Sequence, residues 1–272
     1  MYSFNLVTSA IFDVLLAPLG HRLAAFDLLI WPVLAGVVAL LVYKRVSNQA
    51  GIARAKNSIA VHLLEVLLYK DNLVSVLVST ARVLVQNALY VGHNILPMIV
   101  MFGPMTVILV QLVANYGYAP HARGDTELLS VKLDRSVTQT ATREVKLELP
   151  PGLELAVPAV RTEDEVVWKL RMVGEGEHVV GVVVDGERFE KRVVVGGEPA
   201  KMPVLRTKSW EAILYPGEAA MPSDAPVEEL RMAARTRELD GFPDGEGGVL
   251  LWFFGASLAA GFLLKDWFGV TL

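Results

Sequence analysis

The sequence contains no cysteine among its 272 residues. Disulfides, thiolate metal sites, iron–sulfur clusters and cysteine nucleophiles are therefore excluded. Charge is also scarce, since 20% of the residues are charged against about 25% in an ordinary soluble domain. The formal net charge of −4 argues against a nucleic-acid partner, because nucleic-acid-binding proteins concentrate Lys and Arg to neutralise phosphates.

Common catalytic motifs are missing as well. The sequence has no Gly-x-Ser-x-Gly elbow, no phosphate-binding Gly-x-x-x-x-Gly-Lys loop and no His-Glu-x-x-His helix. The acidic run 163–165 is typical of a solvated turn rather than of a catalytic pair of carboxylates. Five histidines fall on separate segments, so no shared metal site is expected: His21, His62, His93, His121 and His178. We therefore predict a protein that is not an enzyme, with no catalytic residues, metal or cofactor.

Apolar residues are abundant and unevenly distributed. They make up 53% of the chain, and the mean hydropathy is +0.43. Three blocks, residues 26–43, 96–114 and 249–264, are almost free of charge. At about 1.5 Å per helical residue, each block nearly crosses a hydrocarbon layer of about 30 Å. We predict three transmembrane helices.

The distribution of basic residues predicts the orientation of these helices. Short cytoplasmic loops are enriched in Lys and Arg, and six such residues lie between the first two blocks: Lys44, Arg45, Arg54, Lys56, Lys70 and Arg82. Acidic residues precede the third block and Lys265 follows it. We therefore expect the N-terminus and residues 120–245 outside, and the C-terminus in the cytoplasm.

The first twenty residues differ from a secretory signal, because they contain no basic side chain. Their apolar residues fall close to one helical face: Phe4, Leu6, Val7, Ile11, Val14 and Leu15. This pattern predicts an amphipathic helix that lies in the membrane interface.

Residues 48–92 have the pattern of a cytoplasmic helical hairpin. A basic amphipathic helix begins at Asn48 or Gly51 and continues through Tyr69. A turn follows at Lys70, Asp71 and Asn72, since Asn and Asp favour turns and N-caps. A second helix over 72–92 is apolar except for a polar stripe formed by Ser75, Ser79, Arg82 and Gln86.

This stripe is the candidate partner-binding site, on which a polar segment of a partner would lie beside the membrane. An ordinary solvated helix face is the alternative. A second alternative makes 72–92 a fourth span, which would place the β region on the other side of the membrane. Arg82 near its middle would then cost about 2.5–3.5 kcal/mol on insertion.

The order of a span, a basic helical hairpin and a proline-bearing span resembles the YidC/Oxa/endoplasmic-reticulum-membrane-complex superfamily of membrane protein insertases. The likeness covers residues 26–115 and includes Asn94-Ile95-Leu96-Pro97-Met98-Ile99-Val100. No arginine lies within the first span, as it does in many bacterial insertases, and that fold usually has more spans. The chain also resembles an uncharacterised family of bacterial membrane proteins through Ser47-Asn48-Gln49-x-Gly51-Ile52, His62-Leu63-Leu64-Glu65 and Lys70-Asp71-Asn72. This resemblance implies the bacterial cytoplasmic (inner) membrane.

From about Thr126 the hydrophobic period changes to two, which is typical of half-buried strands. Asp185-Gly186 between two valine-rich runs predicts a β-hairpin with a two-residue turn. Residues 226–239 fit a short helix or a pair of strands, and we favour the strands. The strand spacing predicts an immunoglobulin-like β-sandwich.

The expected fold is therefore an α+β membrane protein with an interfacial helix (1–20), a membrane domain (21–119), an extracytoplasmic β-domain (120–245) and a C-terminal transmembrane helix (246–272). Two functions remain open. The first is an accessory or structural subunit of a cell-envelope membrane complex. The second is an insertase or chaperone that uses the polar stripe. Expected partners are the lipid bilayer and other membrane proteins or nascent membrane segments, and a homo-oligomer stays open.

Overall fold

A computed structural model describes residues 2–16, 24–134, 144–197 and 201–271 of the chain. Within them lie five α-helices: α1 (Tyr2–Leu16), α2 (Ala24–Val46), α3 (Gln49–Leu68), α4 (Leu73–Tyr116) and α5 (Gly245–Leu264). Three of these helices, α2, α4 and α5, are long and apolar enough to cross a membrane. The prediction of an α+β protein with three apolar helices of membrane length is confirmed.

Helix α4 differs from the sequence prediction in its length. The predicted hairpin helix 72–92 and the predicted span 96–114 form one uninterrupted helix of 44 residues, which includes Pro97 and Pro104. A proline removes only one backbone donor, and helices continue through it where neighbouring groups compensate. At about 66 Å, α4 is roughly twice as long as the hydrocarbon layer is thick. One uninterrupted helix runs in a single direction, so 72–92 and 96–114 are not two successive crossings.

Asparagine caps define both helix starts in the hairpin region. The Asn48 side chain accepts a hydrogen bond from the Gly51 amide at 2.9 Å, and α3 begins at Gln49. After the turn at 69–72, the Asn72 side chain accepts from the Ser75 amide at 3.1 Å, and α4 begins at Leu73. Each cap satisfies an amide that has no partner within its own helix.

The chain divides into two compact units, Met1–Leu28 with Leu109–Trp252, and Leu29–Ile108 with Phe253–Leu272. The second unit is helical. Its small core contains Leu40 and Tyr43 of α2, Ile52 of α3 and Val270 of the C-terminal segment. This core fixes the start of α3 beside the end of α2.

The first unit contains the β region, whose strands are β1 (Tyr118–Ala119), β2 (Thr126–Leu133), β3 (Val145–Glu148), β4 (Leu153–Arg161), β5 (Glu165–Met172), β6 (Gly176–Val184), β7 (Glu187–Val195), β8 (Leu205–Thr207), β9 (Val227–Met232) and β10 (Arg235–Thr236). One sheet has the order β4-β5-β2-β9-β8, a second has the order β3-β6-β7, and β1 pairs with β10. Every pair of these strands is antiparallel.

Two local predictions in the β region are confirmed. β6 and β7 form a hairpin in which Val184 pairs with Glu187, and the turn residues Asp185 and Gly186 have φ angles of 51° and 89°. Such positive φ angles are what a two-residue hairpin turn requires. Residues 227–236 form strands β9 and β10 rather than a helix.

The two larger sheets share one hydrophobic core. It contains Leu129 and Val131 of β2 and Trp168 of β5 from the five-stranded sheet, with Val182 of β6 and Val193 of β7 from the other. Each of these side chains is at most 4% exposed. The inward-facing residues of the two sheets therefore hold the β region together without disulfides.

Candidate partner-binding site

The predicted polar stripe on α4 lies partly against α3. Ser79 is 6% exposed, and its hydroxyl donates a hydrogen bond to Oε2 of Glu65 on α3 at 2.8 Å. The same Glu65 oxygen lies 2.9 Å from Nδ1 of His62. Ser79 therefore joins the two helices of the hairpin instead of facing solvent.

Three of the four stripe residues gather around a small cavity of about 270 Å³. Ser75, Ser79 and Arg82 line it from α4, Glu65 lines it from α3, and Tyr69 lines it from the turn that follows α3. Gln86 is half-buried two turns away from Ser79 and does not line the cavity. The cavity offers a carboxylate acceptor opposite a guanidinium donor, so it suits a polar group that both donates and accepts hydrogen bonds.

Sequence reasoning missed Glu65 as a member of this cluster. Its position three residues after His62 was the available signal, because side chains at i and i+3 are neighbours on a helix. The pairing with Ser79, fourteen residues away, depends on the turn between the helices. That turn is exposed at Lys70, Asp71 and Asn72, and the Asn72 side chain caps α4.

The hairpin exposes large apolar side chains around this polar cluster. Those that are at least half exposed near its tip are Val61, Leu63, Leu64, Leu67, Leu68, Tyr69, Leu73, Val74 and Leu77. Monomeric soluble proteins seldom expose contiguous apolar patches beyond a few hundred Å². The tip of the hairpin is therefore suited to contact with lipid or with another protein.

A second apolar surface lies on the outer face of the five-stranded sheet. Lys169 of β5 pairs with Leu128 of β2 and with Val157 of β4, while Val167 pairs with Val160. Residues directly opposite each other in antiparallel strands project from the same face, and the alternate residues Trp168 and Leu170 face the core. We call Leu128, Val157, Val160 and Val167 the outer-face patch; the first three are 50%, 48% and 63% exposed.

The β region also has a polar cavity of about 580 Å³, lined by Lys132, Asp134, Lys208, Ser209 and Glu228. The Nζ atom of Lys132 lies 3.2 Å from Glu228, and Lys208 pairs with Asp134. The hydrogen bond to Glu228 raises the pKa of Lys132 above its usual value. Because each lysine has an acidic partner, the cavity has no excess charge with which to attract an ion.

The described histidines lie in separate surroundings, and His62 pairs with Glu65 alone. His93 packs against Gly51, where a Cβ would lie 2.7 Å from its Nε2, and His178 contacts the Gly174 carbonyl at 2.9 Å. His21 lies outside the described residues. The acidic residues 163 and 164 occupy the turn between β4 and β5. In the part of the chain that the structure describes, no three His, Asp or Glu side chains are grouped to hold a metal ion.

No protein-family model matches this chain, and no curated protein or solved structure is significantly similar to it. The choice between functions therefore rests on the geometry of the hairpin cavity and of the outer-face patch.

Proposed function

We propose that this protein is a non-enzymatic accessory or structural subunit of a bacterial cell-envelope membrane complex. It binds its partners through the apolar helices and through the β region. The observation that carries the proposal is the outer-face patch, because Leu128, Val157 and Val160 lie on one face of a sheet and are about half exposed. Exposed apolar patches on folded domains commonly mark protein interaction sites.

The same proposal includes the finer sequence predictions. The membrane is the bacterial inner membrane, the N-terminus and β region lie outside, and the C-terminus and the hairpin turn lie in the cytoplasm. We also propose that the two packed sheets form an immunoglobulin-like β-sandwich. Residues 26–115 are proposed to be related to the insertase superfamily. The basic residues in the last turn of α2 and directly after α5 support the orientation.

The test is site-specific photo-crosslinking in cells. A photoreactive amino acid replaces Val160 in the outer-face patch, and Glu187 on the exposed β6–β7 hairpin is the matched control in the same β region. We expect one recurring membrane-complex partner to be captured at Val160 and not at Glu187. Capture of no protein at Val160, with efficient capture elsewhere, would rule out the patch as the interface.

A second candidate function, a membrane protein insertase or chaperone, is supported by the cavity at Glu65, Ser79 and Arg82. In this cavity a polar segment of a nascent membrane protein would meet a hydrogen-bond donor and a hydrogen-bond acceptor beside exposed apolar side chains. Crosslinkers at Arg82 and Gln86 would then capture many different nascent membrane proteins. A single recurring partner at all positions would instead favour the accessory subunit.

A further inference from the structure

We propose that the helical unit binds one anionic phospholipid in a groove between α2, α4 and α5. The groove has a volume of about 430 Å³, within the usual range for small-molecule sites. Its walls come from all three apolar helices: Gly36, Ala39, Leu40 and Tyr43 of α2; Tyr90, Asn94, Met98, Met101, Phe102 and Met105 of α4; Phe254, Ser257, Leu258, Gly261 and Phe262 of α5.

Small residues explain why a groove exists here. At Gly36 the backbones of α2 and α5 are in close contact, since a Cβ there would lie 2.5 Å from the Ser257 carbonyl oxygen and 3.1 Å from Ala260 Cβ. At Gly261, by contrast, a Cβ would meet no atom within 4 Å. The groove is thus open where α5 lacks a side chain.

The lining of the groove suits a hydrocarbon chain. Its few polar groups satisfy one another, because the Tyr43 hydroxyl donates to Oδ1 of Asn94, and Nδ2 of Asn94 donates to the Tyr90 carbonyl at 2.7 Å. The Ser257 hydroxyl donates to the Phe254 carbonyl at 3.2 Å, and apart from the Tyr90 hydroxyl the rest of the wall is aliphatic, aromatic or thioether. Met98, Met101 and Met105 are flexible and polarizable, so they adapt to a ligand without a fixed shape.

Charge at one end of the groove selects the headgroup. Tyr43 is followed directly by the exposed Lys44 and Arg45, and Lys265 follows Gly261 by about one helical turn. The Lys44 ammonium donates to the Phe268 carbonyl at 2.6 Å, which uses one of its three donors. Lys265 is paired with Asp266 at 2.8 Å. Three cations against one carboxylate complement a phosphate that carries a net negative charge.

The size of the groove favours a lipid over a partner helix. An α-helix with its side chains is about 10–12 Å across, so even two of its turns occupy roughly 800 Å³ or more, whereas the groove holds about 430 Å³. A hydrocarbon chain fits along the α4 wall, which runs from Tyr90 to Met105 over about 23 Å, with its polar end near Tyr43 and Asn94. The phosphate then lies at the level of Lys44 and Lys265.

Native mass spectrometry of the full-length protein tests this proposal. The protein is purified in detergent and offered equal amounts of phosphatidylglycerol and phosphatidylcholine with the same acyl chains. We expect one phosphatidylglycerol to be retained about tenfold more than phosphatidylcholine. Gly261→Leu adds a side chain to the groove at a position where an added Cβ meets no atom within 4 Å, and we expect it to remove this retention, while Lys44→Gln lowers the retention.

Matched control variants distinguish lipid bound in the groove from lipid that coats any apolar helix. Gly255→Leu is the control for Gly261→Leu, because Gly255 is on the same helix, also has no atom within 4 Å of an added Cβ and does not line the groove. Arg54→Gln on α3 is the control for Lys44→Gln. Circular dichroism and thermal unfolding verify that each variant is folded. If Gly261→Leu does not fold, Gly261→Ala is measured in its place. Equal retention of the two lipids, or equal retention by the Gly261 and Gly255 variants, overturns the proposal.

Discussion

His121 is a buried histidine at the start of the β region. It is 2% exposed, and its Nδ1 atom has no hydrogen-bond partner among the described residues. Burial lowers the pKa of its imidazole below the usual value, and the neighbouring Asp125 opposes this effect only in part. The folded protein therefore disfavours protonation of His121 relative to the unfolded chain.

This lowered pKa predicts a loss of stability in acid. At a pH above the unfolded value of about 6.5 the ring is neutral in both states, and as the pH falls towards the lower folded pKa the unfolded state binds the proton first. We expect the Tm of the full-length protein in detergent to fall by a few degrees less between pH 7.5 and 5.0 in His121→Leu than in the wild type. His178→Gln serves as the control. An unchanged pH dependence in His121→Leu would contradict the prediction.

A buried ion pair gives a second prediction at this scale. Lys191 of β7 is fully buried, donates to the Pro203 carbonyl at 2.7 Å and pairs with Glu218. The other Glu218 oxygen accepts from the Arg192 amide at 2.6 Å. Burial lowers the pKa of Lys191, and Glu218 partly restores it. Each charge therefore depends on the other to offset the free-energy cost of its burial inside the sandwich.

Removing one partner of the Lys191–Glu218 pair should lower the free energy of unfolding more than replacing both partners does. Glu218→Gln leaves a buried ammonium without its counter-charge, and we expect a loss of about 3–5 kcal/mol in the free energy of unfolding. The double variant Lys191→Met with Glu218→Gln removes the charge and should recover most of that loss. Denaturant unfolding, followed by tryptophan fluorescence, measures both. A double variant no more stable than Glu218→Gln would contradict this account.

At the scale of an element, the start of α3 depends on the Asn48 cap. Asn48→Ala leaves the Gly51 amide without its side-chain acceptor, which typically costs about 1 kcal/mol. We expect faster hydrogen exchange in the peptide 49–56, as measured by mass spectrometry. Asn57→Ala is the control, because Asn57 is exposed within the same helix and alanine is a better helix former. Equal exchange in the two variants would show that the cap does not hold the first turn.

The same element illustrates which features could be predicted from sequence. The Asn48 cap and the apolar blocks are local signals, because a cap needs only its neighbouring amides and a span needs only its own length. The continuity of α4 was missed, since Gly92 and Pro97 suggest a break whereas the helix continues through both. The pairing of Ser79 with Glu65 was also missed, because it depends on how two helices pack.

The face of the sheet on which a side chain lies is also only partly predictable from the sequence. Alternation correctly marks Val131 and Trp168 as apolar positions of strands, and both face the core. The outer-face patch was not predictable, because β4 contains two register shifts between Leu155 and Val160. Each shift adds a residue against its partner strand and changes the face on which the next side chain lies. The positions of such bulges depend on strand pairing, which one sequence does not specify.

At the scale of the whole molecule, the length of α4 limits the possible topologies. One helix contains nearly all of 72–92 and all of 96–114, so these two segments can cross a membrane only once. With α2 and α5, which are also long and apolar enough to span, we expect three crossings, and an odd number of crossings would put the hairpin turn and the β region on opposite sides of the membrane. The basic residues near the turn favour its cytoplasmic location.

The absence of cysteine allows this topology to be tested directly with single-cysteine variants. Lys70→Cys lies in the exposed hairpin turn, and Glu187→Cys lies on the exposed β6–β7 hairpin. In intact spheroplasts, a membrane-impermeant maleimide should label Glu187→Cys and leave Lys70→Cys unlabelled until the membrane is permeabilised. Leu258→Cys on α5 should react poorly in both conditions, because lipid would surround it. Labelling of both loop variants from the same side would contradict three crossings, and the reverse pattern would keep the crossings but invert the orientation.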